Sequence, residues 1–295
     1  IRYRVDGVMQ KLLEPPREIA PLVISRLKVM AKLDIAERRL PQDGRISLRV
    51  AGRPVDVRVS TLPSGHGERV VLRLLDKQAG RLDLEHLGMP ETALKALQNS
   101  LGLSHGIILV TGPTGSGKTT TLHAVLGYLN TPDKKIWTAE DPVEITQPGL
   151  QQVQVAPKIG FTFANALRAF LRADPDIILI GEMRDKETAH AGIEASLTGH
   201  LVLSTLHTNS ASETIMLLLD FGLDPVNFSD ACVGILAQRL IRTLCPNCKE
   251  KYPAVESEKA FIKRQYGQEY IGELNLPEPL MLFKAKGCDE CGDTG

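Results

Sequence analysis

Eight consecutive residues have the types and spacing of a phosphate-binding loop. They are Gly112, Pro113, Thr114, Gly115, Ser116, Gly117, Lys118 and Thr119. In this pattern, glycines let backbone N–H groups converge on phosphate oxygens, the lysine reaches the β- and γ-phosphates, and the hydroxyl binds Mg²⁺. An apolar strand precedes the loop, and the helix after it adds a favourable dipole. The sequence predicts a Mg²⁺-dependent ATPase whose ATP contacts these eight residues and Thr120; a glycine-rich turn that merely matches is the alternative.

A second apolar strand, at residues 176–180, is followed by Gly181 and Glu182. This is the position of a Walker B acid, although glycine stands where many P-loop proteins carry an Mg²⁺-binding aspartate, so Glu182 must act alone or through water. A third strand lies between His200 and His207. We expect His207, at the carboxyl end of that strand, to face the γ-phosphate as a donor or sensor, while His200 has a weaker claim.

Residues 138–144 place three carboxylates, those of Glu140, Asp141 and Glu144, at the end of another predicted strand. The carboxyl ends of parallel strands line the ligand crevice of a doubly wound sheet. One of these acids is therefore a candidate base for orienting the attacking water. The residues alone do not choose among the three, and a solvated acidic turn is the alternative.

Four of the five cysteines form two C-x-x-C pairs, Cys245 with Cys248 and Cys288 with Cys291, and 39 residues separate the pairs. Four thiolates in this arrangement predict a closed tetrahedral Zn²⁺ site that is structural rather than catalytic. Two disulfides or a redox pair are the alternatives. We expect the fifth cysteine, Cys232, to be a core thiol on an apolar helix.

The elements that must position these groups fall into three regions. Residues 1–97 alternate strands with one helix near 21–33, and arginines occupy alternate positions of the strands, which predicts an α+β domain with an arginine-rich sheet face. Within this region, residues 76–88 are a predicted linker with a short connecting helix. Residues 98–244 alternate apolar strands with helices, which predicts a parallel sheet covered on both faces. Residues 245–295 form the cysteine-bearing subdomain.

The composition excludes several classes of protein. Lysine plus arginine and aspartate plus glutamate balance at 35 each, and aromatic residues make up only 4%, so we expect no nucleic-acid binding. No apolar run approaches the roughly 20 residues of a transmembrane helix, and no signal peptide is recognisable. The cysteine pairs favour a reducing compartment. Both ends of the sequence look cut, which suggests a fragment whose C-terminal subdomain is truncated.

The motifs together resemble the secretion-ATPase family that drives type II secretion and type IV pilus assembly, over essentially the whole chain. The family's Walker A, aspartate box, Walker B and histidine box match, in the family's order, residues 112–119, 138–144, 178–185 and 199–207. Residues 40–45 and 237–240 also resemble the family. One departure is Leu217, where the family commonly has an arginine, and this puts an interface contact in doubt.

The resemblance implies an α/β fold, with a PAS-like domain preceding a RecA-like P-loop motor domain, in a hexameric ring. It makes Glu144 the catalytic base and Glu182 the acid on the side of Mg²⁺ and water. Arg58 and Arg73 match family arginines that reach the nucleotide from the N-terminal domain. Solvated strand arginines are the alternative for these two.

The function implied is a cytoplasmic motor in which ATP hydrolysis drives assembly of a pilus or a type II secretion pseudopilus. Its partners would be an inner-membrane platform and cytoplasmic docking proteins, with membrane contact only through them. The length of the segment between the cysteine pairs slightly favours a pilus-assembly member. Two alternatives are a nucleotide-gated scaffold with little hydrolysis and a RecA-like nucleic-acid translocase.

Overall fold

The structure, a computed structural model, describes residues 1–5, 8–50, 52–65, 67–76, 83–267, 270–274 and 276–295. The chain divides into two compact units, Ile1–Arg239 and Leu240–Gly295. Residues 77–82 of the predicted linker lie outside the described residues. In the described parts of the chain, no helix combines the length and the apolar character that crossing a bilayer requires.

The first unit begins with a hairpin, a helix and an antiparallel sheet. These elements are β1 (Arg2–Val5), β2 (Val8–Lys11), α1 (Ala20–Met30), β3 (Gln42–Val50), β4 (Arg53–Leu62) and β5 (Arg69–Asp76). The last three strands form a sheet of order β3-β4-β5. Alternate residues of this sheet pack beneath α1, where Ile46, Val57 and Val59 are buried. The opposite face carries Arg58, which pairs in register with Arg73.

The rest of the first unit is built on a six-stranded parallel sheet of order β11-β6-β10-β9-β7-β8. The strands are β6 (Gly106–Thr111), β7 (Ile136–Glu140), β8 (Gln151–Gln154), β9 (Ile177–Ile180), β10 (Leu201–Leu206) and β11 (Cys232–Ala237). The helices are α2 (Glu91–Leu101), α3 (Lys118–Leu129), α4 (Phe163–Phe170), α5 (Lys186–Leu197), α6 (Ala211–Asp220) and α7 (Pro225–Ala231). The predicted parallel sheet is therefore present.

Both faces of this sheet are buried. Along β6, Ile107 and Leu109 join a core with α4 and α5, whereas Ile108 and Val110 join a core with α2 and α3. A strand covered on both sides needs apolar residues at every position. This is why β6 and β9 are almost entirely apolar, whereas in β7 and β10 polar side chains occur only in the second half of the strand.

The helix expected around Cys232 is wrong, because Cys232–Ala237 is the edge strand β11, paired with β6. Apolar residues four apart fit a helix, but they also occur in a continuously apolar strand. A short apolar run cannot be assigned by periodicity alone. Cys232 is nevertheless half-buried against the core, and burial raises the pKa of its thiol.

The second unit contains an antiparallel pair of strands and a helix between them. These are β12 (Glu250–Pro253), α8 (Glu256–Tyr266) and β13 (Met281–Lys284). One cysteine pair precedes β12 and the other follows β13. Pairing of Glu250 with Lys284 therefore brings the two C-x-x-C segments to the same end of the hairpin.

Candidate functional site

The phosphate-binding loop runs from the end of β6 to the start of α3. Gly112 and Gly117 have φ angles of 150° and 85°, which residues with a side chain rarely adopt. A Cβ on Gly112 would also lie 2.3 Å from the carbonyl oxygen of Gln238. The backbone of this loop therefore requires glycine at both positions, as the sequence pattern predicts.

Lys118 opens α3, and only 8% of it is exposed. Its ammonium donates hydrogen bonds to the carbonyl oxygens of Gly112, at 2.7 Å, and of Pro113, at 3.1 Å. Burial lowers the pKa of Lys118, and the nearby charge of Glu182 acts in the opposite direction. The ammonium is thus held inside the loop by backbone carbonyls rather than by a carboxylate in direct contact.

His207 stands between Lys118 and the Walker B acid. Its Nδ1 lies 3.4 Å from Nζ of Lys118, and its Nε2 lies 3.6 Å from Oε2 of Glu182. Because an ammonium can only donate, Nδ1 accepts and the ring proton sits on Nε2, facing the carboxylate. Arg184 also contacts Glu182, with Nε 2.6 Å from Oε2. The structure therefore brings together Lys118, Glu182 and His207 from three different motifs.

Threonine hydroxyls tie the carboxyl ends of the neighbouring strands to one another. The Thr205 hydroxyl donates to the carbonyl oxygen of Gly181 at 2.6 Å, and the Thr111 hydroxyl donates to that of Thr208 at 2.9 Å. The Met183 N–H donates to the carbonyl oxygen of Thr205 at 3.0 Å. No motif of the sequence pointed to these residues. A hydroxyl residue near the end of a predicted buried strand is the one feature that could have identified Thr111 and Thr205.

Gln238, the residue that follows β11, forms hydrogen bonds with the phosphate-binding loop and with the end of β6. Its side-chain amide donates to the carbonyl oxygen of Ser116 at 2.6 Å, and its backbone N–H donates to that of Thr111 at 2.9 Å. In the sequence, Gln238 appears only within a segment that resembles the family. Its contact with a residue 122 positions away could not be read from the pattern.

The three candidate acids of residues 138–144 differ sharply in their surroundings. Glu140 is only 4% exposed, and its carboxylate accepts hydrogen bonds from Thr138, at 2.6 Å, and Gln152, at 3.1 Å. A carboxylate so occupied is poorly placed to take a proton from water. Asp141 is exposed and Glu144 is half-buried, so these two are the candidates that geometry leaves.

The remaining predicted nucleotide contacts are accessible. Thr119 is exposed and Thr120 is half-buried, both in the first turn of α3. Within the loop, Pro113, Thr114 and Gly115 are exposed, whereas Ser116 is buried. The loop thus presents an open surface at a helix N-terminus, where backbone N–H groups lack partners within the helix.

Arg58 and Arg73 lie directly opposite each other on β4 and β5. Arg58 is 3.9 Å from Asp43 and partly exposed, and Arg73 is exposed. Among the contacts that the described residues make, none joins either arginine to the phosphate-binding loop. The structure does not bring these two residues into the site.

The structure also defines the surroundings of three further residues from the sequence segments discussed above. His200 lies at the amino end of β10, where its Nδ1 is 3.0 Å from the carbonyl oxygen of Ala195. Leu217, on α6 and at the position where the resembled family commonly has an arginine, packs against the core. Asp185 caps α5 by accepting a hydrogen bond from the N–H of Thr188 at 2.8 Å.

The four paired cysteines converge in the second unit. Their sulfur atoms all lie within 4.8 Å of one another. Distances between pairs are 3.7 Å for Cys288 and Cys291, 3.8 Å for Cys248 and Cys291, and 4.0 Å for Cys245 and Cys288. Four sulfurs placed about 2.3 Å from a tetrahedral zinc ion would be roughly 3.8 Å apart. The cluster therefore fits a Cys₄ metal site.

Backbone groups favour the thiolate form of one ligand. The N–H of Gly295 donates to the sulfur of Cys291 at 3.2 Å, and so does the N–H of Cys288. The first of these bonds is the main cause that lowers the pKa of Cys291 to about 6. Burial raises the pKa of Cys248 to about 11. Metal binding requires every sulfur to be a thiolate, so it would release protons.

Comparison with known proteins shows extensive similarity over the whole chain. The family model described as type II/IV secretion system protein matches residues 1–295. The chain is 57% identical over 295 residues to type II secretion system protein E of Pseudomonas aeruginosa. It is 54% identical over 296 residues to type II secretion system ATPase E of Vibrio cholerae. In both cases 100% of this chain is covered, and the chain spans 57% of the relative's length.

Solved structures share the fold. The pilus retraction motor PilT with bound ADP superposes with a TM-score of 0.60 at 27% identity, covering 92% of this chain and 82% of that one. The ATPase DotB of Legionella pneumophila gives a TM-score of 0.63 at 24% identity, covering 78% and 67%. The expected RecA-like motor fold is confirmed. The PAS-like character of the N-terminal domain and the boundaries of the three predicted domains stay predictions.

Proposed function

The chain belongs to the type II/IV secretion system protein family, and we propose that it hydrolyses Mg²⁺-ATP to power a secretion or pilus-assembly apparatus. One observation carries the proposal. A phosphate-binding loop holds Lys118 within 3.4 Å of His207, which in turn faces Glu182. A cation, a proton donor and an acid so close together support a binding site for the γ-phosphate at this position.

Each residue has a distinct role in the proposed reaction. Lys118 and the backbone of the loop bind the phosphates, while the exposed hydroxyl of Thr119 and the carboxylate of Glu182 would hold Mg²⁺ directly or through water. Bound Mg²⁺ neutralises the developing charge on the phosphate oxygens. The Nε2–H of His207 is available to a phosphate oxygen. The oxygen ligands from Thr119 and Glu182 suit a hard divalent cation such as Mg²⁺.

Glu144 is the proposed base that orients the attacking water. Glu140 is occupied by hydrogen bonds, and Asp141 is exposed on the same segment, which leaves Glu144 as the half-buried carboxylate. Arg58 and Arg73 are proposed to complete the charge clamp only after the N-terminal domain closes. An arginine that arrives on closure would couple domain motion to hydrolysis.

The proposal extends to assembly and partners. The chain would form part of a homo-hexamer in the cytoplasm, attached to the inner membrane through a platform protein and docking proteins. The names of the relatives support type II secretion as the apparatus served. The preference for pilus assembly rests on the length of one loop and stays a prediction. The Cys₄ cluster is proposed to hold a structural Zn²⁺.

A pair of substitutions tests the proposed activity. Lys118→Ala should abolish both ATP binding and hydrolysis, because it removes the charge that the loop holds for the phosphates. Glu144→Gln should lower the rate of hydrolysis by about 100-fold or more while ATP still binds, since only the proton acceptor is lost. Phosphate release and equilibrium binding of a fluorescent ATP analogue would measure the two effects separately.

Asp141→Asn is the matched control, because it removes an exposed carboxylate from the same segment. We expect its rate to stay within a few-fold of the unsubstituted chain. Hydrolysis that survives Lys118→Ala would contradict the proposed function. Tight ATP binding without turnover in any variant would favour the nucleotide-gated scaffold instead.

A further inference from the structure

Four hydrogen bonds close a ring between the helix that follows the phosphate-binding loop and the segment that carries the candidate base. Nε2 of His123 is 3.3 Å from Oε2 of Glu140, and Gln152 donates to Oε1 of Glu140 at 3.1 Å. The side-chain oxygen of Gln152 accepts from the N–H of Gln147 at 2.9 Å. Gln147 completes the ring by donating to the carbonyl oxygen of His123 at 2.7 Å.

Most of this ring is withdrawn from water. His123 is 1% exposed, Glu140 is 4% exposed and Gln147 is 9% exposed. In such surroundings each hydrogen bond is strong, and breaking one leaves a buried polar group without a partner. The ring is therefore a stiff connection. Hydrogen bonds between solvent-exposed loops exchange with water and would not hold a segment in one position.

Three members of the ring hold the segment that contains Glu144, residues 141–150. Glu140 precedes the segment, Gln147 lies within it and Gln152 follows it on β8. Gln152 also donates to the carbonyl oxygen of Ile145, the residue next to Glu144, at 2.8 Å. A further tether joins Asn130, at the end of α3, to the carbonyl oxygen of Pro148 at 2.8 Å.

The geometry points to a positioning function for this ring of His123, Glu140, Gln147 and Gln152. It fixes the carboxylate of Glu144 relative to the helix whose N-terminus binds the phosphates. Gln152 makes two of the four hydrogen bonds of the ring and also holds the carbonyl oxygen of Ile145. This inference rests on the proposed function, in which Glu144 is the base. It assigns Glu140 to the support of that base rather than to proton transfer.

A positioning function and a merely structural one predict different kinetics. Among the described residues, no side-chain hydrogen bond joins the ring to the phosphate-binding residues 112–120. Loosening it should therefore displace the base without weakening the grip on phosphate. A displacement on the order of 1 Å at a catalytic group can cost about 100-fold in rate. A structural function would instead reduce binding, rate and stability together.

Gln152→Met is the test, because methionine has a similar size but neither donates nor accepts in the same way. We expect the maximal rate of ATP hydrolysis to fall by about 10- to 100-fold, with the dissociation constant for ATP within about two-fold of the unsubstituted value. Gln154→Met is the control. Gln154 is exposed on the same face of β8 two residues further on, so its substitution should change neither quantity.

Amide hydrogen exchange supplies a readout that does not need turnover. Gln152→Met should speed exchange in residues 143–150 and leave the amides of β6 and α3 protected, and Gln154→Met should do neither. Unchanged exchange in 143–150, or an unchanged maximal rate, would overturn the inference. A parallel loss of ATP affinity and rate would also overturn it, in favour of a structural function.

The two proposals fail in different ways. If Lys118→Ala and Glu144→Gln behave as the proposed function requires while Gln152→Met keeps the full rate, only the positioning inference is wrong. If the chain hydrolyses no ATP at all, the proposed function is wrong. Exchange in residues 143–150 then still decides whether the ring holds this segment.

Discussion

At the scale of single residues, the site depends on a lysine whose charge is opposed by its own burial. The pKa of Lys118 is lowered because the ammonium is withdrawn from water, and the carboxylate of Glu182 partly restores it. His207 lies between the two groups and contacts both. Glu182 therefore has two functions in the proposed site: it is the proposed Mg²⁺ ligand, and its negative charge raises the pKa of Lys118.

The second of these functions predicts a shift in pH dependence. Phosphate binding needs the charged form of Lys118, so affinity for ATP should fall as the pH rises through the pKa of this lysine. Glu182→Gln removes the negative charge that raises that pKa, so the fall in affinity should begin at a lower pH. Titration of ATP-analogue binding in magnesium-free buffer, from neutral to alkaline pH, separates this effect from metal binding.

Glu187→Gln is a suitable control, because this exposed glutamate on α5 pairs with Arg168, at 2.8 Å, rather than with the site. Its pH profile should match that of the unsubstituted chain. A profile for Glu182→Gln that moves to higher pH, or does not move, would show that Glu182 does not sustain the charge of Lys118.

The sequence predicts which side chains take part in the proposed site better than it predicts the residues that surround and position them. Lys118, Glu182 and His207 stand in recognisable motifs, and the structure brings them together. The residue types alone do not choose among the three acids: the family resemblance implies Glu144, and the structure argues against Glu140. Glu140 is occupied by Gln152, which reaches it only because β8 lies beside β7. Such contacts follow from strand order, which local patterns do not encode.

At the scale of elements, buried parallel strands explain both the successes and the failure of prediction. Strand β9 is a continuous apolar run, β6 is apolar up to its last residue and β10 over its first three, and the carboxyl ends of these strands form the site. The edge strand β11 has a similar apolar sequence, but its spacing of Cys232 and Leu236 also fits a helix. Where both patterns fit, packing against β6 decides the outcome.

The hairpin of β12 and β13 makes a prediction about metal. It places two C-x-x-C segments together with sulfur distances that suit a tetrahedral ion. We expect one zinc ion per chain, and Cys291→Ser should lose it. Structural zinc supplies on the order of 10 kcal/mol of binding free energy to small domains, so the substitution should unfold residues 240–295. Elemental analysis and amide exchange in this unit would measure both effects.

Cys232→Ser provides the matched control, since Cys232 lies on β11 and takes no part in the cluster. This variant should keep its zinc and its exchange pattern in residues 240–295. Full zinc content in Cys291→Ser would contradict the Cys₄ assignment. Zinc content that is low in the unsubstituted chain but restored by reduction would instead favour the disulfide alternative.

At the scale of the whole molecule, the proposed site is incomplete in one respect. The loop, Glu182 and His207 come from the parallel sheet, whereas Arg58 and Arg73 lie on the separate antiparallel sheet. Two arginines directly opposite each other repel, and Asp43, 3.9 Å from Arg58, offsets only part of this repulsion, so a polyanion beside the pair would be bound favourably. The chain spans 57% of the length of the relative from Pseudomonas aeruginosa, and the ring of whole subunits is a proposal.

Assembly should therefore control activity. If the charge clamp forms only when neighbouring subunits hold the N-terminal domain closed, ATP turnover per chain should rise cooperatively with protein concentration and be low when the chain is dilute. Arg73→Ala should lower this assembled rate by about 100-fold or more, whereas Arg69→Ala, exposed on the same face of the same strand, should not. Phosphate release measured against concentration, together with sedimentation of the same samples, tests both statements. Turnover that is equally high at every concentration, or a rate unaffected by Arg73→Ala, would show that the parallel-sheet site acts alone.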